Sequence, residues 1–95
     1  MVNYEAMFII DPTLTDDQKN ETIEQVKGII NADGEVGEVD VWGMRKLAYI
    51  IENHSEGFYV VVTFQGNPTL PKELDRRLKI SDNVIRHLII NRDKE

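Results

Sequence analysis

Residues 36–65, VGEVDVWGMRKLAYIIENHSEGFYVVVTFQ, decide the fold. Val36 to Glu52 reads as one long strand interrupted at Gly43, where a glycine inside a strand pattern marks a bulge or bend. Asn53-His54-Ser55-Glu56-Gly57 supplies turn residues, and Phe58 to Gln65, rich in aromatic and β-branched side chains, reads as the returning strand. The centre of the chain is therefore a hairpin. What flanks it determines the architecture.

On the amino-terminal side, Val2 to Ile10 alternates as a strand, with Tyr4, Ala6, Phe8 and Ile10 on one face and Asn3, Glu5, Met7 and Ile9 on the other. Asp11-Pro12 ends it. Thr15-Asp16-Asp17-Gln18 has capping-box spacing with acids in the first turn, and Ile23, Val26, Ile29 and Ile30 recur at helical spacing up to Asp33-Gly34. On the carboxy-terminal side, Leu70, Leu74 and Leu78 form a helical stripe with Pro71 acceptable in the first turn. Ser81-Asp82-Asn83 breaks that helix. Val84 to Ile90 is the last strand, and Ile85, His87 and Ile89 are expected to point inward, because the other face would bury Arg86. His87 is then expected to be a buried neutral histidine with one hydrogen bond.

The order β-α-β-β-α-β predicts an α+β, ferredoxin-like fold: a four-stranded antiparallel sheet with both helices on one face, in one domain spanning residues 1–95. The other face stays open. Alternation places Met7, Ile9, Tyr59, Val61, Arg86, Leu88 and Ile90 there, an apolar set suited to a partner or to single-stranded bases.

Composition restricts the chemistry. There is no cysteine, hence no disulfide, thiolate metal site or cysteine nucleophile. The apolar runs, such as Ala6 to Ile10 and Phe58 to Val62, are far too short to span a membrane, Met1-Val2-Asn3-Tyr4-Glu5 lacks the basic start of a secretory leader, and a cytoplasmic location is expected. No glycine-rich phosphate loop, His-Glu-x-x-His or Gly-x-Ser-x-Gly occurs. His54, Ser55 and Glu56 are neighbours on a turn and do not converge as a catalytic set; Asp16 and Asp17 are explained by the helix dipole. No catalytic residue, metal site, cofactor or small-molecule substrate is expected.

The formal net charge is −6, unpromising for a protein that binds RNA unaided. Its distribution matters more than its total. Residues 1–35 hold eight acids against two bases, residues 36–95 are balanced, and Lys72 to Arg92 holds six bases against three acids. Gly57 to Phe64 loosely resembles an aromatic RNA-stacking strand, but Glu56 stands where a base is expected and only Tyr59 reaches the open face. Arg45 and Lys46, flanked by Trp42, Met44, Leu47 and Tyr49, suit a protein or RNA interface, or equally an edge strand protected by charge.

Three ordered segments carry a resemblance across essentially the whole chain. Gly43-Met44-Arg45-Lys46-Leu47-Ala48-Tyr49-Ile50-Ile51 resembles a Gly-x-Arg-[basic or polar]-Leu-Ala-Tyr-x-Ile signature, preceded by Tyr4-Glu5 and followed by Leu78-Lys79-Ile80-Ser81-Asp82-Asn83-Val84-Ile85-Arg86. Together they resemble the family of the sixth protein of the bacterial small ribosomal subunit. Two positions depart from it: Val2 and Asn3 replace common basic residues, and Ile50 replaces a common proline. The resemblance implies a non-enzymatic ferredoxin-like protein that pairs with small-subunit ribosomal protein eighteen and, in that heterodimer, binds the central domain of 16S rRNA. It implies RNA-facing positions at Asn3, Tyr4, Arg86, Asn91 and Arg92, and a partner or mixed interface at Arg45, Lys46, Leu47 and Tyr49. Some relatives carry a long charged tail, whose functions are not expected of a chain ending at Glu95.

Two other functions fit the topology less well. A metabolite-binding regulatory module needs small residues between the first strand and helix, where Asp11-Pro12-Thr13-Leu14 stands. An acylphosphatase-like hydrolase needs an arginine there, and none precedes Arg45.

Overall fold

The computed structural model describes residues 1–51 and 53–93. Capping begins α1 (Asp16–Asp33) where the sequence predicts: the Gln18 amide donates to Thr15 Oγ1 (3.2 Å) and the Thr15 amide donates to Gln18 Oε1 (3.0 Å). The second helix, α2 (Leu70–Ile80), carries Pro71 in its first turn, where the missing amide hydrogen costs nothing. Four strands complete the chain: β1 (Val2–Ile10), β2 (Gly34–Ile51), β3 (His54–Gly66) and β4 (Val84–Asn91). They form one antiparallel sheet in the order β2-β3-β1-β4, the ferredoxin-like arrangement, so β2 and β4 are its edges.

Period-two alternation sorts the sheet into its faces. Tyr4, Ala6, Phe8 and Ile10 of β1 and Val60, Val62 and Phe64 of β3 point towards the helices, which contribute Ile23, Val26 and Ile30 from α1 and Leu70, Leu74 and Leu78 from α2. These residues form the core. Tyr4 stacks on Phe64 with ring centroids 5.4 Å apart, an arrangement that adds to simple area burial.

The structure corrects four details of the sequence reading. First, Asn53 to Gly57 is not all turn. Ile51 already pairs with His54, Asn53 takes the left-handed conformation at φ 67°, which asparagine tolerates, and His54 to Gly57 extend β3 as the second leg of a hairpin arm. The expected end of β2 at Glu52 lies outside the described residues. Second, the register between β1 and β4 shifts at Ile9/Ile10, leaving Ile85 in a bulge, so Val84 and Ile89 are the β4 residues packed against the core. Third, His87 points inward as expected but is only half-buried, being on an edge strand, and its partner is the Asp75 carboxylate of α2 (2.6 Å). That contact, before the Lys79 ammonium on the other carboxylate oxygen, holds Asp75 below the usual carboxylate range. Fourth, Ile9 lies on the open face yet is only 4% exposed, because the arm curls back over it.

The bend that lets the arm do so sits at Gly43. Its φ of 81° belongs to the left-handed region, and the register shifts between Val41 and Gly43, leaving Trp42 as the extra residue. Beyond the bend, Arg45 pairs with Gly57 and Lys46 with Glu56. Gly57 is required by contact: a Cβ there would lie 2.2 Å from Ile9 Cγ2, with Leu47 Cδ2 at 3.6 Å. Among the described residues no helix is long and apolar enough to cross a membrane.

Candidate functional site

The nine residues singled out from the sequence fall into two groups at opposite ends of the sheet. Tyr4 pairs with Asn91 near the start of β1, whereas Ile9 pairs with Arg86 near its end. The two rungs are five residue steps apart along the strand, about 17 Å at the usual rise.

At the first end the two chain termini are tied together through Asn3. Its backbone amide donates to Asp93 Oδ2 (2.9 Å), its side-chain Nδ2 donates to Asp93 Oδ1 (3.1 Å), its carbonyl accepts from the Arg92 amide (2.8 Å), and its side-chain oxygen accepts from Gln65 Nε2 (2.9 Å). The Asn91 side-chain oxygen accepts from the Asp93 amide (2.9 Å). The hydrogen bonds from the Asn3 backbone and side chain, then the nearby amino terminus and Arg92, hold the Asp93 carboxyl below its ordinary range. Asn3 and Asn91 thus build the scaffold of this end. Tyr4 is a core residue here. Arg92, with Asn3, Tyr4, Glu35 and Gln65, lines a cavity of about 280 Å³. Its exposed guanidinium is the group there suited to a phosphate.

At the other end Arg86 meets the arm. A guanidinium nitrogen, Nη1, donates to the Tyr49 hydroxyl, and the guanidinium carbon lies 5.6 Å from the Tyr49 ring centroid. Leu47, Ala48, Tyr49 and Ile51 of the arm, with Met7, Ile9, Tyr59 and Leu88 of the sheet, enclose about 260 Å³ beside Arg86. Arg45 and Lys46 stand exposed on the same arm. Tyr49, expected at a partner interface, and Arg86, expected to face RNA, are therefore one contact, which nothing in their spacing of 37 residues could reveal.

Away from the arm the open face keeps its apolar character. Met7 sits between Val61 and Leu88, Trp42 stacks on Tyr59 (6.2 Å, 8° between planes), and Leu88, Ile90 and Trp42 remain exposed. Asp40, opposite Val61 on β2, accepts a hydrogen bond from Trp42 Nε1 (3.0 Å). Two of the six bases between Lys72 and Arg92 are paired locally, Arg76 with Glu73 (2.6 Å) and Lys79 with Asp75 (3.1 Å). The sequence did carry that signal, as spacings of three and four residues on a helix. His54 lies 3.7 Å from Asp11, whose carboxyl is lowered first by hydrogen bonds from Thr13. The Thr13 hydroxyl at that pair is spent on the Asp11 carboxylate, to which it donates (2.7 Å).

This geometry is that of an interaction protein, and comparison with known proteins agrees. The family model described as ribosomal protein S6 matches residues 3–91. The chain belongs to the ribosomal protein S6 family. It is 52% identical over 95 residues to the small ribosomal subunit protein bS6 of Clostridium acetobutylicum, covering 99% of this chain and 100% of that protein. To the protein of the same name from Alkaliphilus metalliredigens it is 50% identical over 90 residues, 95% of this chain and 96% of the relative. The crystal structure of 30S ribosomal protein S6 from Thermotoga maritima superposes with a TM-score of 0.92 at 33% identity, covering 97% of this chain and 88% of that one. The family is one of ribosomal structural proteins and not of enzymes.

Proposed function

We propose that this chain, acting as one domain over residues 1–95, is a structural constituent of the small ribosomal subunit in the cytoplasm. In this reading it binds the central domain of 16S rRNA as a heterodimer with small-subunit ribosomal protein eighteen and contributes to subunit assembly. The observation that carries it is the mismatch between charge and surface. A chain of net charge −6, with two of its four α2 cations, Arg76 and Lys79, paired to neighbouring acids, cannot supply most of the phosphate neutralisation itself, yet it keeps an apolar sheet face open. A basic partner resolves both. It covers apolar surface and brings the cations, while this subunit contributes shape and a few positioning contacts. Arg92, on the scaffold made by Asn3, Tyr4 and Asn91, takes the RNA side; Arg45, Lys46, Leu47 and Tyr49 of the arm take the partner or the junction of partner and RNA.

The test is a titration of a central-domain 16S rRNA fragment with this protein alone, with the partner alone and with both, at several salt concentrations. The pair binds tightly and with steep salt dependence, and this chain alone binds weakly or not at all. Equal affinity with and without the partner overturns the mechanism.

A further inference from the structure

We propose that Arg86 is a positioning residue that latches the β2–β3 arm over the sheet through Tyr49, and that it serves assembly in this way rather than by neutralising an RNA phosphate. Its role in assembly rests on the function proposed above; the latch itself does not.

Three observations converge on the latch. The arm is poorly fixed by the sheet ladder, because Gly43 bends the strand with φ at 81° and the pairing shifts register both between Val41 and Gly43 and between Lys46 and Ile51. Leu47 and Gly57 close over Ile9 at the base of the arm, but about 260 Å³ remains between arm and sheet, and Tyr49 is still 58% exposed. Arg86 spans that gap, donating to the Tyr49 hydroxyl and placing its guanidinium against the face of the same ring. A planar fork can make both contacts together, whereas an ammonium cannot reproduce them. Arg86 lies about 17 Å of strand away from the Asn91 end, and the exposed cations carried by the arm it holds are Arg45 and Lys46.

The chemistry of substitution separates a latch from a phosphate contact. Arg86→Lys keeps the charge and loses the fork, Arg86→Gln loses both, and Tyr49→Ala removes the other half of the contact. Amide hydrogen exchange in the free protein reads the latch directly: all three variants lose about two- to fivefold protection across residues 45–51, and Arg86→Gln/Tyr49→Ala loses no more than either single variant. Unchanged exchange in the arm overturns the proposal. In the RNA titration with the partner present, Arg86→Lys and Arg86→Gln weaken binding alike, Tyr49→Ala is not additive with Arg86→Gln, and the salt slope stays at the wild-type value. If instead Arg86→Lys binds like wild type while Arg86→Gln flattens the slope by about one phosphate contact, Arg86 touches RNA itself and the proposal fails. Should the wild-type pair not bind the RNA at all, the function is refuted, while the exchange experiment still decides the latch.

Discussion

Gly57→Ala tests whether the arm is seated on the sheet as described. The added Cβ would lie 2.2 Å from Ile9 Cγ2, more than 1 Å closer than the 3.4–4 Å of ordinary contact. Ile9 cannot move aside cheaply. It is β-branched and stiff at χ1, it is 4% exposed, and its backbone is paired on both sides, to Tyr59 in β3 and Arg86 in β4. The strain must move the arm. Overpacking of this kind costs about 1–3 kcal/mol, whereas replacing glycine by alanine at an unstrained position returns about 0.4–1 kcal/mol through the unfolded chain. The net effect is destabilising. Urea unfolding should show a lower midpoint with little change in slope, and each kcal/mol should lower Tm by about 4–8 °C for a domain of this size. Gly28→Ala is the internal control: a Cβ at this exposed helical site meets nothing within 4 Å, so the same substitution should stabilise by about 0.5–1 kcal/mol. If Gly57→Ala matched or exceeded the stability of the wild type, the packing of Gly57 on Ile9 would be refuted.

Other consequences follow from the two ends of the sheet and from the core. Arg92→Ala should weaken RNA binding by the heterodimer and reduce the salt slope by about 0.7–0.9, as measured by titration at several ionic strengths; an unchanged slope removes Arg92 from the RNA interface. The Asp93 carboxyl is held below its ordinary value of 3.8, so its contribution to stability is present above that value and lost as pH falls through the lowered folded value. Asp93→Asn should therefore be less stable than wild type at about pH 7, with the gap closing as pH falls below the ordinary carboxylate range, and a gap independent of pH would show that the carboxylate is not the tie between the termini. Leu74→Ala, at a fully buried position of α2, should cost about 2–5 kcal/mol in urea unfolding, and a loss below 1 kcal/mol would contradict its place in the core.

Alternation made the sheet legible from the sequence. Tyr4, Ala6, Phe8 and Ile10 had to share a face, and Arg86 had to point away from the core, because a period of two leaves no other choice for a half-buried strand. The helices were equally plain, through the Thr15–Gln18 cap and the Leu70, Leu74, Leu78 stripe. The arm was not. Its outer legs project beyond the helix-covered sheet, so burial imposes no alternation on them, and the polar run His54-Ser55-Glu56 reads as turn although it continues a strand. Ile85 was misplaced for a related reason, since a bulge of one residue inverts the faces beyond it and leaves no mark in the composition.

The candidate site shows the same division more sharply. The residues could be chosen from motifs, but what each one does depends on contacts across long stretches of chain. Asn3 looks like a free polar residue near a terminus, yet its backbone and side chain are engaged with Asp93, Gln65 and Arg92. Tyr4, which the resemblance assigns to the RNA side, is buried in the core against Phe64. Arg86 looks like a phosphate ligand and holds Tyr49. Only Arg86 of these three is a cation, and under the latch proposed above it is committed to Tyr49, which leaves one fewer cation for phosphate and favours a basic partner that carries that load. Under the proposed function the acidic total is consistent with RNA binding, because the polar residues of this subunit then chiefly shape a surface on which another protein and an RNA would meet.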